Sequence, residues 1–395
     1  MVGDVFDSRP RTENRKAKRG ESHFDYLNLS ARKAAANVRD LVEAWLGHFP
    51  SRARAKLRTR LRSTDNVVFL PAFFELYCHE MLRQHGYLCE PDFPIEGAAG
   101  KNVDFKVHPP DGKPPFLLEA IVPGLSGPAA ADRARIDAIY NAIDAKLDSP
   151  HFFIAIEEAN AKPRVPIPVG TLCRQMEKQM ARLNPDVFAA QPRGARRMSG
   201  PLWKATAAGW TVVYSLILKS PALRGRPGVR PIGSVARELN HEELLSTIRA
   251  AVRAKASRYG RPGIPYIVAT NVVACRWALP SLDVADGKEA LYGREIVVSS
   301  RDDPKPRLDR AKDGVFVGPK GPRHTRVSGA MLVSAITPWS VASQSPVLYH
   351  HPWAEHPAAG ILERLPAVFP PPNRDLYREG CEGRELFELP EGWPE

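Results

Sequence analysis

From residue 68 up to Gly86 the apolar side chains Leu70, Phe73, Phe74, Tyr77 and Met81 recur at i, i+3, i+4, i+7 and i+11. That spacing predicts an amphipathic helix whose stripe must be buried against a sheet. Gly86 stops the pattern; a short apolar run at 87–89 and two runs of strand character, 103–107 and 116–122, follow, the last two joined by a Pro/Gly/Asp turn. The run at 116–122 is continuously apolar except for Glu119, the pattern of a strand covered on both faces.

The same periodicities divide the rest of the chain. After Ser30, a good N-cap, Val38, Leu41, Val42 and Trp45 mark a helix over 31–47. Residues 51–63 place Ala53, Leu57 and Leu61 on one stripe and arginines around most of the remaining circumference. Ile139, Tyr140, Ile143 and Leu147 mark a helix leading to a strand at 151–157, a strand, helix, strand order that predicts the next strand of the same α/β layer. Further strands are expected at 211–219 and 265–273, and a second amphipathic helix over 241–259 with Leu244, Ile248, Ala251, Val252 and Tyr259 on one face. The last third, rich in proline, shows a short helix near 284–292 and strand-like runs at 314–318 and 330–336. Residues 1–25 carry six Lys or Arg against three Asp or Glu before Gly20 and almost no apolar side chains, which reads as a disordered basic arm. The expected organisation is therefore a basic arm (1–25), a helical basic extension (26–64), an α/β core (65–275) and a C-terminal elaboration packed on it (276–395).

Two acids sit where strands should be buried. An ionised Glu119 amid Leu117, Leu118, Ala120 and Ile121 needs a cation or several donors, and Asp104 between Val103 and Phe105 poses the same problem more mildly. With Glu75 arriving from the helix they offer the all-oxygen environment that Mg²⁺ or Mn²⁺ prefers.

At these residues the chain resembles the PD-(D/E)XK nuclease superfamily: a helix glutamate (Glu75), an Asp opening the second core strand (Asp104) and an acid on the third strand (Glu119). It is most similar to an uncharacterised bacterial branch with an ELY…H…L…G…DF…EA signature. The likeness covers roughly residues 65–125. It implies a restriction endonuclease-like α/β fold, a mixed sheet flanked by helices, and metal-dependent hydrolysis of phosphodiester bonds, with Glu75, Asp104 and Glu119 as catalytic and metal-binding residues. Val103 replaces the family's proline before Asp104, and Ile121 stands where the family has its lysine. Lys255, in the middle of the apolar face of 241–259, either snorkels to the surface or reaches the acidic site as a substitute. Lys106, two residues beyond Asp104, is the other candidate. Pro91-Asp92 imitates the family dipeptide but precedes the second strand and reads as a turn.

Charge bears on the partner. A net charge of +12 and a pI near 9.5 in 395 residues favour a polyanion, DNA ahead of RNA, although an arginine-rich composition alone gives the same balance. Arg54, Arg58 and Arg62 on 51–63, and Arg224 and Arg226 on the basic loop after 219, are the candidate phosphate contacts. No apolar run approaches membrane-spanning length and the N-terminus lacks a signal-peptide pattern, so a cytoplasmic protein is expected. Five scattered cysteines without a Cys-x-x-Cys pair argue against disulfides and structural zinc, and the spacing of His350, His351 and His356 suits no standard ligand set. Two further readings remain beside the nuclease: a noncatalytic nucleic-acid-binding or interaction module that keeps the fold, and a structural protein in which a buried arginine such as Arg133 answers Glu119.

Overall fold

The computed structural model describes residues 4–95, 100–125, 128–160, 165–190, 201–232, 241–273, 282–298, 306–370, 376–381 and 383–395. Four helices come first, α1 (His23–Leu29), α2 (Lys33–His48), α3 (Ser51–Leu61) and α4 (Asn66–Gln84). The predicted stripe of α4 is buried throughout, with Phe73, Phe74, Tyr77 and Met81 fully enclosed. Asp65 caps its N-terminus by accepting from the Val67 N–H, and Gly86, at φ 80°, provides the left-handed turn beyond its end.

Beyond α4 run β1 (Leu88–Pro94), β2 (Asn102–His108) and β3 (Phe116–Ile121), an antiparallel meander. Next come α5 (Pro128–Lys146), β4 (Phe152–Asn160), α6 (Val169–Met180), α7 (Pro185–Ala190), β5 (Trp203–Ala207), β6 (Trp210–Leu218), α8 (His241–Ala256), β7 (Tyr266–Val272) and α9 (Val284–Tyr292). Among the described residues the main sheet has eight strands in the order β1-β2-β3-β7, then Gly329–Ser334, Val347–His350, Ala367–Phe369 and Leu376–Arg378. It is mixed: β3, β7 and Gly329–Ser334 run parallel, while both ends of the sheet contain antiparallel pairs. One face packs against α1–α4 through Phe105, Phe116, Leu118 and Ile267, and the other against α8 and α9 through Leu117, Tyr266 and Val268. Coverage of both faces explains the near-continuous apolar character of β3 and β7. Among the described residues no helix is long and apolar enough to cross a membrane.

Three expectations are corrected. The strand at 151–157 does not join the main sheet: β4, β6 and β5 form their own three-stranded antiparallel sheet, with a separate core built on Ile143, Phe152, Met176 and Tyr214. The parallel neighbour of β3 is instead β7, so the residues between them form an insertion. The segment after 275 is not an elaboration, since half the strands of the main sheet come from it. The N-terminal segment is not a loose arm from residue 4 onward. Val5 and Phe6 are buried, and the Glu43 carboxylate accepts from both of their N–H groups.

Candidate active site

The acidic centre lies where β2 and β3 stop pairing. Their ladder runs Val107↔Phe116, Lys106↔Leu117, Phe105↔Leu118. At the next step side-chain carboxylates replace backbone carbonyls as acceptors: Asp104 Oδ2 takes the Ala120 N–H at 2.7 Å, and Glu119 Oε2 takes the Asp104 N–H at 3.3 Å. The two acids thus face each other across adjacent strands, each anchored to the other's strand.

Alternation along β3 sends Phe116 and Leu118 toward α4 and Leu117 and Glu119 toward α8. Glu119 is only 1% exposed. Its Oε1 accepts from Lys255 Nζ at 2.5 Å and Arg258 Nη1 at 3.1 Å; its Oε2 accepts from the Tyr259 hydroxyl at 2.5 Å, which also lies 2.8 Å from the Asn102 carbonyl. Burial and the bond to Glu119 push the Tyr259 phenol well up, so it remains a donor. The Lys255 stem runs along the apolar face of α8, as its place among Ile248, Val252 and Tyr259 requires, and its ammonium ends on the carboxylate rather than in bulk water.

Asp104 contrasts with its neighbour. Among the described residues no cation pairs with it. Burial, then the charges of Glu119 and Glu75, push its carboxyl from 3.8 up to about 7, against the opposing pull of the Ala120 N–H and Lys255. Glu75 is held by Arg60 of α3, and burial raises its carboxyl above the ordinary value despite that partner. Cys78, one turn beyond Glu75 on α4, feels both Asp104 and Glu75, so the helix acid and the strand acid border the same region.

A fourth acid completes the row. β1 pairs with β2 at Pro91↔Phe105 and Phe93↔Val103, which sets Asp92 opposite Asp104. Asp92 therefore lies inside β1 rather than in a turn. Its backbone is left-handed at φ 56°, and its carboxylate takes Lys56 Nζ at 2.8 Å and Asn102 Nδ2 at 3.3 Å; these bonds hold its carboxyl below the ordinary range.

The arginines of α3 divide into two flanks. Arg52, Lys56 and Arg60 turn toward Glu90, Asp92 and Glu75. The flank expected to meet phosphate turns into the fold instead: Arg54 donates to the Gly47 and Phe49 carbonyls at 2.7 Å and caps α2, and Arg62 binds the Val5 carbonyl at 2.6 Å and Asp7 at 2.9 Å, while Arg58 is half-buried. Lys106 lies over the Phe93 ring with Nζ 4.5 Å from its centroid, and no ion pair joins it to Asp104 or Glu119 among the described residues. Arg224, in the inserted unit, donates to the Lys219 carbonyl and Asp186; Arg226 is exposed nearby. Arg133, the arginine suggested as a structural partner of Glu119, has a side chain outside the described residues. His350 and His351 are packing residues, stacked at 4.2 Å on Phe369 and 4.1 Å from Phe316.

Sequence reasoning missed Arg258, Tyr259 as a polar group, and Asp92. The first two were visible as Lys255-x-x-Arg258-Tyr259, where i+3 and i+4 positions follow the lysine around the same helical end. No family model, no curated protein and no solved structure matches the chain.

Proposed function

We propose that the chain is a metal-dependent phosphodiesterase acting on nucleic acid, DNA ahead of RNA, built on the restriction endonuclease-like plan, with Lys255 in the role that the PD-(D/E)XK family gives to a strand lysine. The observation that carries this reading is the Lys255 ammonium 2.5 Å from Glu119 Oε1, beside an Asp104 that has no cation of its own among the described residues.

The metal must fit the donors present. Among the described residues no three His, Cys, Asp or Glu side chains converge as a ligand set. That speaks against an all-protein cage, but Mg²⁺ binds through one or two carboxylates and leaves its other positions to water and phosphate oxygens. Asp104 and Glu119 meet this requirement with hard oxygens on neighbouring strands, and Asp104 is the acid whose charge most needs a cation. Mg²⁺ or Mn²⁺ held there supplies Lewis acidity toward the phosphoryl oxygen, a lowered pKa for water and charge balance at the leaving oxygen. The chain's own groups do the rest. Lys255 orients the attacking water from inside the apolar face of α8, Tyr259 and the Asp104 N–H fix the angle of Glu119, and Glu75 borders the site from α4, held by Arg60. Arg52 and Lys56, on the exposed flank of α3, offer sequence-neutral contacts to the backbone.

The test is incubation of the purified protein with supercoiled plasmid, single-stranded DNA and RNA, in Mg²⁺ or Mn²⁺ and in EDTA. Cleavage that EDTA stops supports the reading, and intact substrates in both metals overturn it. The noncatalytic alternative draws on one observation: both oxygens of Glu119 already take strong donors. On that reading the protein binds nucleic acid equally well with metal or with EDTA and cleaves none.

A further inference from the structure

Glu119 has two cations on one oxygen, and they are not equivalent. Lys255 is on α8 itself, with 16% of its side chain exposed and its nitrogen at 2.5 Å; Arg258 is beyond the helix end, in the turn closed by its own N–H on the Lys255 carbonyl, with 38% exposed and its nitrogen at 3.1 Å. Only one N–H of the Arg258 guanidinium, on Nη1, bonds to Glu119. A guanidinium carries five donors in a planar fork, so Arg258 holds Glu119 with one edge of the group and, among the described residues, keeps donors to spare. Both cations thus meet the same oxygen, and the more exposed of them, Arg258, is held there by a single bond.

We propose that Arg258 is a phosphate-binding residue of this site: on substrate binding its free donors take a non-bridging oxygen pair of the nucleic-acid backbone, while Lys255 stays on Glu119. The proposal rests on the acidic centre being where nucleic acid binds and extends that reading by naming the group that grips the phosphate. The two cations thereby acquire different duties. The buried ammonium, a compact point charge, serves the carboxylate and the water. The half-exposed guanidinium matches the geometry of phosphate, to which Arg binds in bidentate fashion. Tyr259 supports it from below, with the guanidinium 5.4 Å from the centre of its ring.

The experiment measures binding rather than turnover, so it reads Arg258 whether or not the protein cleaves. The full chain, its R258Q and R258K variants, and K255Q are titrated in EDTA with a fluorescein-labelled 30-nucleotide duplex DNA at NaCl concentrations from 50 to 300 mM, after a thermal melt of each. R258Q is expected to weaken binding about tenfold at the lowest salt. Its log Kd against log salt should be flatter by about 0.9, the change expected when one phosphate fewer is neutralised on duplex DNA. R258K should keep the salt slope because the charge remains, and K255Q should keep it because that ammonium does not touch phosphate. A wild-type slope in R258Q would make Arg258 a structural partner of Glu119 and overturn the proposal. So would failure of the wild-type protein to bind the duplex at all. Wild-type binding without cleavage in Mg²⁺ or Mn²⁺ would sink the nuclease reading and leave the Arg258 result standing. If R258Q melts early, R258K decides: its guanidinium fork is gone but its charge is not, and it should bind more weakly than wild type at an unchanged slope, whereas wild-type affinity in R258K would overturn the fork.

Discussion

Glu119 and Asp104, neighbours in the acidic row, carry the same chemical group in opposite electrostatic states. At Glu119, α8 and the turn after it deliver an ammonium, a guanidinium and a phenol to a side chain that is 1% exposed. At Asp104, one strand away, the carboxylate has a backbone N–H and no cation among the described residues, and its carboxyl rises to about 7. Fifteen positions separate them in the chain. Glu119 is buried and Asp104 partly so; what differs is that Glu119 receives Lys255, Arg258 and Tyr259 from α8 and the turn after it. A buried acid is thus not one kind of signal: it marks a filled ion pair at one place and a cation-deficient position at the next.

The sharpest way to break that comparison is to neutralise each acid in turn. Glu119→Gln should abolish cleavage and also lower stability, by on the order of 3 kcal/mol, because it leaves Lys255 and Arg258 without the charge that holds them. The expected readings are no product after overnight digestion and a clearly lower denaturant midpoint. A Glu119→Gln protein as stable as wild type would mean that the ion pairs contribute nothing to the fold.

Asp104→Asn should also abolish cleavage, yet act on stability with the opposite sign. In the unfolded chain Asp104 titrates near 3.8 and in the folded protein near 7. Between those values the folded state binds the extra proton, so stability falls as pH rises through that window, and the full cost is present above about pH 7. Asparagine removes the cost and keeps an oxygen for the Ala120 N–H. In EDTA the variant should therefore exceed wild type at pH 8 by on the order of 2 kcal/mol, with the gap closing toward pH 4. Equal melting curves at pH 8, or a gap that widens on acidification, would refute the assignment of Asp104 as the cation-deficient acid.

Lys255→Met sharpens the contrast from the α8 side, since it keeps the stem's volume and removes only the charge. Turnover should drop by about a hundredfold, the scale of one missing acid–base or electrostatic group. Metal binding, followed by calorimetry with Mn²⁺, should persist because neither carboxylate is touched. Undiminished turnover would return the role to Lys106, which lies over Phe93 instead.

How far the sequence speaks differs by element. The stripe of α4 and the strands at 103–107 and 116–122 are local patterns, and each has its expected place in the fold; the lysine in the apolar face of α8 is an equally local signal, but the wheel leaves open whether its ammonium reaches water or an acid, and the fold puts it on Glu119. Strand partnership is not local. Nothing in the alternation of 151–157 says that β4 pairs with β6 rather than β3, and of the four strands after 328 only the first shows as the run at 330–336, while the other three, of four, three and three residues, are too brief to register. Asp92 was hidden by the same limit: proline and aspartate before a strand read as a turn, and only the pairing with β2 sets Asp92 opposite Asp104. Which flank of α3 faces the acids was equally illegible, because the wheel fixes the stripe of Ala53, Leu57 and Leu61 but treats the arginines on either side alike.

That symmetry supplies the smallest and most discriminating prediction. Arg54 and Arg62 are held by backbone carbonyls and Asp7, whereas Arg52 and Lys56 leave 59% and 64% of their side chains exposed while pairing with acids of β1. Ion pairs so exposed stabilise little and exchange readily for phosphate. Neutralising Arg52 and Lys56 together should flatten the salt dependence of DNA binding by between about 1 and 2, one step for each phosphate that is no longer neutralised, and leave the melting temperature nearly unchanged. Neutralising Arg54 and Arg62 together should do the reverse: the salt slope stays, and the melting temperature falls as the cap of α2 and the tether of Val5 and Asp7 disappear. If the Arg54 and Arg62 pair flattens the slope instead, nucleic acid lies along the other side of α3, away from Glu75 and Asp92, and the acidic row is not where the backbone passes.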